Sequence, residues 1–120
     1  GVIVNISSNH VEGCWPNSTV YAGAKSAVSK FTKNAAMELA RTGIRVVAIE
    51  PGYTAVERLS TEEFELAKRK LPLGRFATSE EIAHAVLYAI SDQAAYLTGN
   101  IIRIDGAATL PVVAENDFVS

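Results

Sequence analysis

The chain has 120 residues, 48% of them hydrophobic and 20% charged, with a formal net charge of −2. That length holds one domain at most, since domains commonly run roughly 100–150 residues, and the mixed, apolar-rich composition excludes a disordered or acidic tail. The near-neutral balance offers no electrostatic footprint for nucleic acid, no apolar run approaches the ~18–20 residues of a membrane span, and one cysteine, Cys14, with two histidines, His10 and His84, leaves no internal disulfide and no expected metal site.

Residues 2–6, Val-Ile-Val-Asn-Ile, are short and β-branched, the pattern of a strand buried on both faces of a parallel sheet. A chain that opens inside such a strand, with no initiator Met and no leader, reads as a piece of something longer. Residues 7–19 contain Gly13, Pro16, Asn17 and Ser18 and predict a loop. From 20 to 42 the spacing turns helical, with Ala24, Ala27, Val28, Phe31, Ala35, Leu39 and Ala40 as the apolar or small stripe, and Gly43 suits the left-handed position that ends a helix. Residues 44–49 predict a second buried strand, closed by a turn at Glu50-Pro51-Gly52. Residues 61–70 are charge-rich and predict a short exposed helix. Pro72 and Gly74 break the pattern. Thr78-Ser79-Glu80-Glu81 then forms a capping box before a helix with the stripe Ile82, Ala85, Val86, Ala89 and Ile90. Residues 101–104 predict a third strand, and 107–120 a tail. The alternation of strand and helix means α/β with a parallel sheet.

Ligands of an open parallel sheet sit beyond the carboxyl ends of its strands. Ser7 and Ser8 follow the first strand, Pro51, Gly52, Tyr53 and Thr54 the second, and Asp105 and Gly106 the third. Tyr21 and Lys25, four apart, share one face of the long helix. A tyrosine hydroxyl has an unperturbed pKa near ~10, and a neighbouring ammonium favours its ionised form. With a hydroxyl such as Ser8 on the reacting oxygen, the group suits proton transfer in a carbonyl/alcohol pair. Taken alone, a Tyr and a Lys at this spacing are an ordinary feature of helices.

The wider context resembles the short-chain dehydrogenase/reductase family. Ile6-Ser7-Ser8 is followed, thirteen residues after Ser8, by Tyr21-Ala22-Gly23-Ala24-Lys25. Gly43-Ile44-Arg45-Val46, Pro51-Gly52, Leu73-Gly74-Arg75-Phe76, Ser79-Glu80-Glu81-Ile82-Ala83, Tyr96-Leu97-Thr98-Gly99 and Asp105-Gly106 continue the match in order, over about residues 1–110. The resemblance implies the carboxyl-terminal half of a doubly wound, Rossmann-like sheet. Residues 1–106 would be the catalytic half and 107–120 a carboxyl-terminal tail. It implies NAD or NADP as cofactor and a small alcohol or carbonyl as substrate. Ser8 would orient the substrate oxygen, with Ser7 the competing choice. Tyr21 would be the general acid/base, and Lys25 would assist it and bind the nicotinamide ribose. Pro51, Gly52 and Thr54 would face the nicotinamide.

Two departures stand out. Val56 occupies the position where the family usually has a cofactor-contacting Thr, and Asp105-Gly106-Ala107 replaces a frequent Asp-Gly-Gly. The eight glycines are scattered, so the chain contains no glycine-rich cofactor turn and no residue to read the ribose 2′ position. The expectation is that an amino-terminal half supplies both.

The loop Ser8-Asn9-His10-Val11-Glu12 and Trp15-Pro16 is similar to that of bacterial glucose 1-dehydrogenases, which makes Ser8, His10 and Trp15 candidate substrate contacts and a sugar a candidate substrate. The alternatives are a 3-oxoacyl-type or other ketone reductase of the same family, or a catalytically silent nucleotide-binding or oligomerisation half. The helix at 61–70 is a candidate lid, and the small residues Ala24, Ala27, Ala35 and Ala36 suit close packing in a homo-dimer or homo-tetramer. A cytoplasmic location, with no membrane and no nucleic-acid partner, completes the expectation.

Overall fold

A computed structural model describes residues 1–111. Strands β1 (Val2–Ile6), β2 (Arg45–Pro51) and a third, Ile101–Ile104, form a parallel sheet with β2 in the centre. The register pairs Val4 with Val47 and Ile49 with Ile102. Helix α1 (Thr19–Leu39) connects β1 to β2. Helices α2 (Thr61–Lys70) and α3 (Ser79–Ile90) lie between β2 and the third strand. We number the remaining strands in chain order: β3 (Thr54–Ala55) and β4 (Ala77–Thr78) form a two-residue parallel ladder, which makes Ile101–Ile104 β5.

The layers follow from the alternation of side chains along β2. Arg45 donates to the carbonyls of Ala89, Ser91 and Leu97 at 2.8, 3.3 and 3.0 Å, on the α3 side. Glu50, an odd number of residues away, meets Ser29 of α1. Successive side chains of a strand point to opposite faces, so α1 and α3 cover opposite faces of the sheet. Val46, Val47, Ala48 and Ile49 are consequently fully buried, which explains their apolar run.

Several boundaries differ from the sequence expectation. The 7–19 loop contains a single 3-10 turn, Asn9–Val11, capped by Ser8. Helix α1 starts at Thr19, and its last turn, Ala40–Thr42, tightens to 3-10 before Gly43 at φ 83°. β2 runs through Pro51, because Glu50 and Pro51 still pair with Arg103 and Ile104. A proline is tolerated at this strand end, where its missing N–H leaves no ladder bond broken.

The expected stripe of α1 is only partly its buried face. Ser29, Thr32 and Ala36 are its buried residues, while Phe31 is 65% exposed. Thr32 and Ser29 fit there because the sheet and the helix supply partners: Thr32 Oγ1 accepts from Asn5 Nδ2 at 3.0 Å and donates to the Val28 carbonyl at 2.9 Å. The stripe of α3 matches better, with Ala89 buried and Ile82, Ala85 and Val86 half-buried; Ile90 is exposed. Its capping box forms between Thr78 and Glu81 as the spacing predicts, and a second box, Ser60 with Glu63, opens α2. Of the expected tail, residues 107–110 form turns just after β5, with the Ala108 N–H donating to the Asp105 carbonyl and the Leu110 N–H to the Ala107 carbonyl, and residues 112–120 lie outside the described residues. No helix among the described residues is long and apolar enough to cross a membrane.

Candidate active site

The carboxyl ends of β1 and β2 open into a cavity of about 350 Å³. Its walls bring together Ser8, His10, Trp15, Tyr21, Lys25, Pro51, Gly52 and Thr54 with the competing Ser7 and the strand-end Tyr53, and add Ile6, Asn9 and Ile82; Asp105 and Gly106, after the third strand, do not line it.

Each side chain is placed by its element. Ser8 caps the 3-10 turn after β1, and its Oγ accepts from the His10 backbone N–H at 3.1 Å. His10 Nδ1 lies 3.0 Å from the same Oγ. The imidazole stacks at 4.2 Å on Trp15 and meets the edge of Tyr21 at 5.0 Å. Tyr21 stands in the first turn of α1, half exposed toward the opening. One turn on, Lys25 Nζ donates to the Ile6 carbonyl at 3.1 Å and sits 5.8 Å from the Tyr21 ring centre. The ammonium is thereby held at the end of β1, beside the phenol and without a direct bond to its ring.

Ser7 and Ser8 are both buried but differently engaged. Ser7 Oγ turns away from the opening, into contacts with the Lys25 carbonyl at 2.9 Å and Ser29 Oγ at 2.8 Å. Ser8 Oγ engages His10 instead.

The Pro51–Gly52 turn is tight. A Cβ on Gly52 would fall 2.5 Å from Asp105 Cβ and 3.1 Å from Asn9 Nδ2, so only glycine fits between the ends of β2 and β5. Thr54 Oγ1 is turned back onto the Gly52 carbonyl at 3.0 Å. Val56 is 82% exposed and is not among the cavity's lining residues.

Tyr53 was visible in the sequence only as a residue after the second strand. Its hydroxyl accepts from Trp15 Nε1 at 2.9 Å, and its ring packs on Phe76 at 5.2 Å. It also walls a smaller cavity of about 200 Å³ beneath α2, with Leu66, Ala67, Lys70, Leu71 and Phe76. No local signal could have found this role, because Trp15 and Tyr53 lie 38 residues apart. Cys14 and His84 are exposed and outside the site.

Ser8, Tyr21 and Lys25 thus line one cavity at the strand ends. The family model described as enoyl-(acyl carrier protein) reductase matches residues 1–109. The chain belongs to the short-chain dehydrogenase/reductase family. It is 42% identical over 115 residues to the 3-oxoacyl-(acyl-carrier-protein) reductase FabG of Thermotoga maritima, covering 92% of this chain and 46% of that one. It is 40% identical to 3beta-hydroxysteroid dehydrogenase 1 of Eggerthella lenta, covering 92% and 44%. The solved structure of a 4-hydroxyisoleucine dehydrogenase complexed with NADH superposes with a TM-score of 0.83 at 32% identity, covering 93% and 48%. The chain spans about half the length of the curated relatives it matches.

Proposed function

We propose that the whole protein interconverts an alcohol and a carbonyl by hydride transfer with NAD or NADP. The observation that carries this reading is the single cavity shared by Ser8, Tyr21, Lys25 and the Pro51–Gly52 turn. These residues fit the nicotinamide end of a dinucleotide: an ammonium for the ribose hydroxyls, and a turn that only glycine can make for the flat ring. The phosphates would be held by residues outside this chain, which has no glycine cluster of its own. When bound, the cofactor supplies or accepts the hydride.

The chain's own residues do the rest. In the oxidative direction Tyr21 Oη takes the hydroxyl proton of the substrate, and in reduction it returns it. The Lys25 ammonium stabilises negative charge that develops on the Tyr21 oxygen. Ser8 Oγ, already accepting from the His10 backbone, holds the substrate oxygen with its own proton.

The substrate reading favours a ketone or secondary alcohol with an apolar body over a sugar. Trp15 Nε1 is engaged by Tyr53, His10 Nδ1 by Ser8, and the Trp15 ring by the His10 imidazole, so of these two rings only His10 Nε2 is left to read a sugar hydroxyl. The relatives that act on 3-oxoacyl and hydroxysteroid compounds support the same preference. The exposed apolar residues Ile3, Ile6, Val20 and Phe31, on β1 and α1, suit burial by an amino-terminal half or a second subunit.

Tyr21→Phe in the whole protein tests the mechanism. Cofactor turnover followed by absorbance should fall by about 10²-fold or more while cofactor binding persists. Turnover close to wild type overturns the assignment of Tyr21. Binding without turnover in the wild type would favour the silent nucleotide-binding alternative.

A further inference from the structure

Beneath the site lies a carboxyl group that the proposed reaction does not use. Glu50 is 1% exposed at the end of β2. Its Oε2 lies 3.1 Å from Ser29 Oγ, Ser29 Oγ lies 2.8 Å from Ser7 Oγ, and Ser7 Oγ lies 2.9 Å from the Lys25 carbonyl. These three contacts need three protons. A carbonyl only accepts, so the last contact consumes the Ser7 proton. The Ser7–Ser29 contact then consumes the Ser29 proton. The Ser29–Glu50 contact is left to a proton on Glu50 itself. An ionised Glu50 leaves one of the three oxygen pairs facing each other with no hydrogen between them.

The surroundings point the same way. Glu50 Oε1 has no hydrogen-bond partner, and Glu50 forms no ion pair among the described residues. A bare, buried carboxylate oxygen is costly, and the carbonyl oxygen of a neutral acid much less so. Charged groups reach Glu50 from each neighbouring element: Glu12 after the 3-10 turn, Lys33 on α1 and Arg103 on β5. Burial raises the Glu50 pKa above its ordinary value and Glu12 adds to it, outweighing the Ser29 contact, Arg103 and Lys33, which act to lower it.

We propose that Glu50 is kept as a neutral carboxylic acid and heads a hydroxyl chain, Glu50 to Ser29 to Ser7 to the Lys25 carbonyl, that positions the turn of α1 carrying Lys25. The protonation stands independently of the proposed reaction; the positioning of Lys25 for catalysis rests on that reading. Glutamine imitates the neutral acid, because its amide N–H donates to Ser29 as the acid O–H does, and it cannot ionise.

The test compares wild type, E50Q and E50A of the whole protein. The infrared difference spectrum of wild type against E50Q at pH 7 should contain a protonated-carboxyl C=O stretch that disappears on raising the pH. Only carboxylate bands in that difference would overturn the protonation. Because the folded pKa is raised above the ordinary 4.5, the stabilising contribution is complete below that value and is lost as pH rises through the folded pKa. The Tm of wild type should therefore fall with rising pH relative to that of E50Q; parallel Tm profiles count against the protonation. For positioning, E50A should lower kcat about 2- to 10-fold, the effect of one lost hydrogen bond, and E50Q should recover most of it. An E50Q variant as impaired as E50A overturns the positioning role. Should E50A not fold, Ser29→Ala cuts the same chain and is read by the same assay. A wild type with the infrared band but without turnover would sink the proposed reaction and leave the neutral Glu50 standing.

Discussion

The Nδ1 of His10 lies 3.0 Å from the Oγ of Ser8, which also accepts the His10 backbone N–H at 3.1 Å. One residue thus meets the serine hydroxyl twice. When Nδ1 carries the proton, Ser8 receives two donors and its own proton is free for a substrate oxygen. When Nδ1 is bare, it competes with the substrate for that proton. His10→Phe keeps a ring against Trp15 but removes the nitrogen. We expect kcat/KM to fall about 2- to 12-fold, the range of a single hydrogen bond, with partial recovery in His10→Asn, whose amide can donate. Equal activity in His10→Phe and wild type would show that Ser8 needs no side-chain partner.

Gly52→Ala should destabilise the end of β2. The added methyl would stand 2.5 Å from Asp105 Cβ and 2.8 Å from Asp105 Cα, and the second of these belongs to backbone. Overpacking of this kind costs about 1–3 kcal/mol. Denaturant unfolding of the whole protein measures it, and affinity for the nicotinamide cofactor should weaken in parallel.

Ala107→Gly should stabilise. Ala107 has φ 65°, in the left-handed region, at the position where the family frequently has a second glycine. Asp105 holds the strained turn by accepting from Ala107 N at 3.1 Å and Thr109 Oγ1 at 3.0 Å. Relief of the Cβ clash, less the added freedom of the unfolded chain, leaves a gain of about 0.5–1 kcal/mol. An unchanged or lower unfolding midpoint would show that the turn carries no such strain.

The start of α3 should be acid-sensitive. Arg75 forks onto Glu81 at 2.7 and 2.8 Å, and Glu81 also accepts from the Thr78 N–H at 2.9 Å. Together these hold the Glu81 carboxyl at about 2, well below its ordinary 4.5, with the Arg75 hydrogen bond the largest cause. A lowered folded pKa stabilises above the ordinary value and is lost as pH falls from there toward 2. Both groups are exposed, so the effect is modest and weakens with salt. Amide exchange at 79–82 should accelerate over that interval, and Arg75→Ala should remove most of the pH dependence.

Much of this was readable along the chain, and the reason is that it is local. A β-branched run, a Ser or Thr three residues before Glu, and a Gly after a helical stretch act through neighbouring backbone, so β1, the Thr78 cap and the Gly43 stop stand close to where their residues predict. Tyr21 and Lys25 needed only the pitch of one helix to share a face. The faces themselves were not local. The apolar stripe of α1 suggested Phe31 inside, yet the buried residues are Ser29, Thr32 and Ala36, because Asn5 and Glu50 on the sheet offer hydrogen bonds there. The β3–β4 ladder joins two residues with two, too short to leave a pattern. Trp15 meets Tyr53, and Glu50 meets Ser29, only after β2 is seated between β1 and β5. Hydrogen bonds across 20 to 40 residues depend on sheet order and register, which no short window of sequence encodes. The residues that gather at the strand ends were therefore legible early. The orientation of Ser8, the reach of Tyr53 and the burial of Glu50 came from packing.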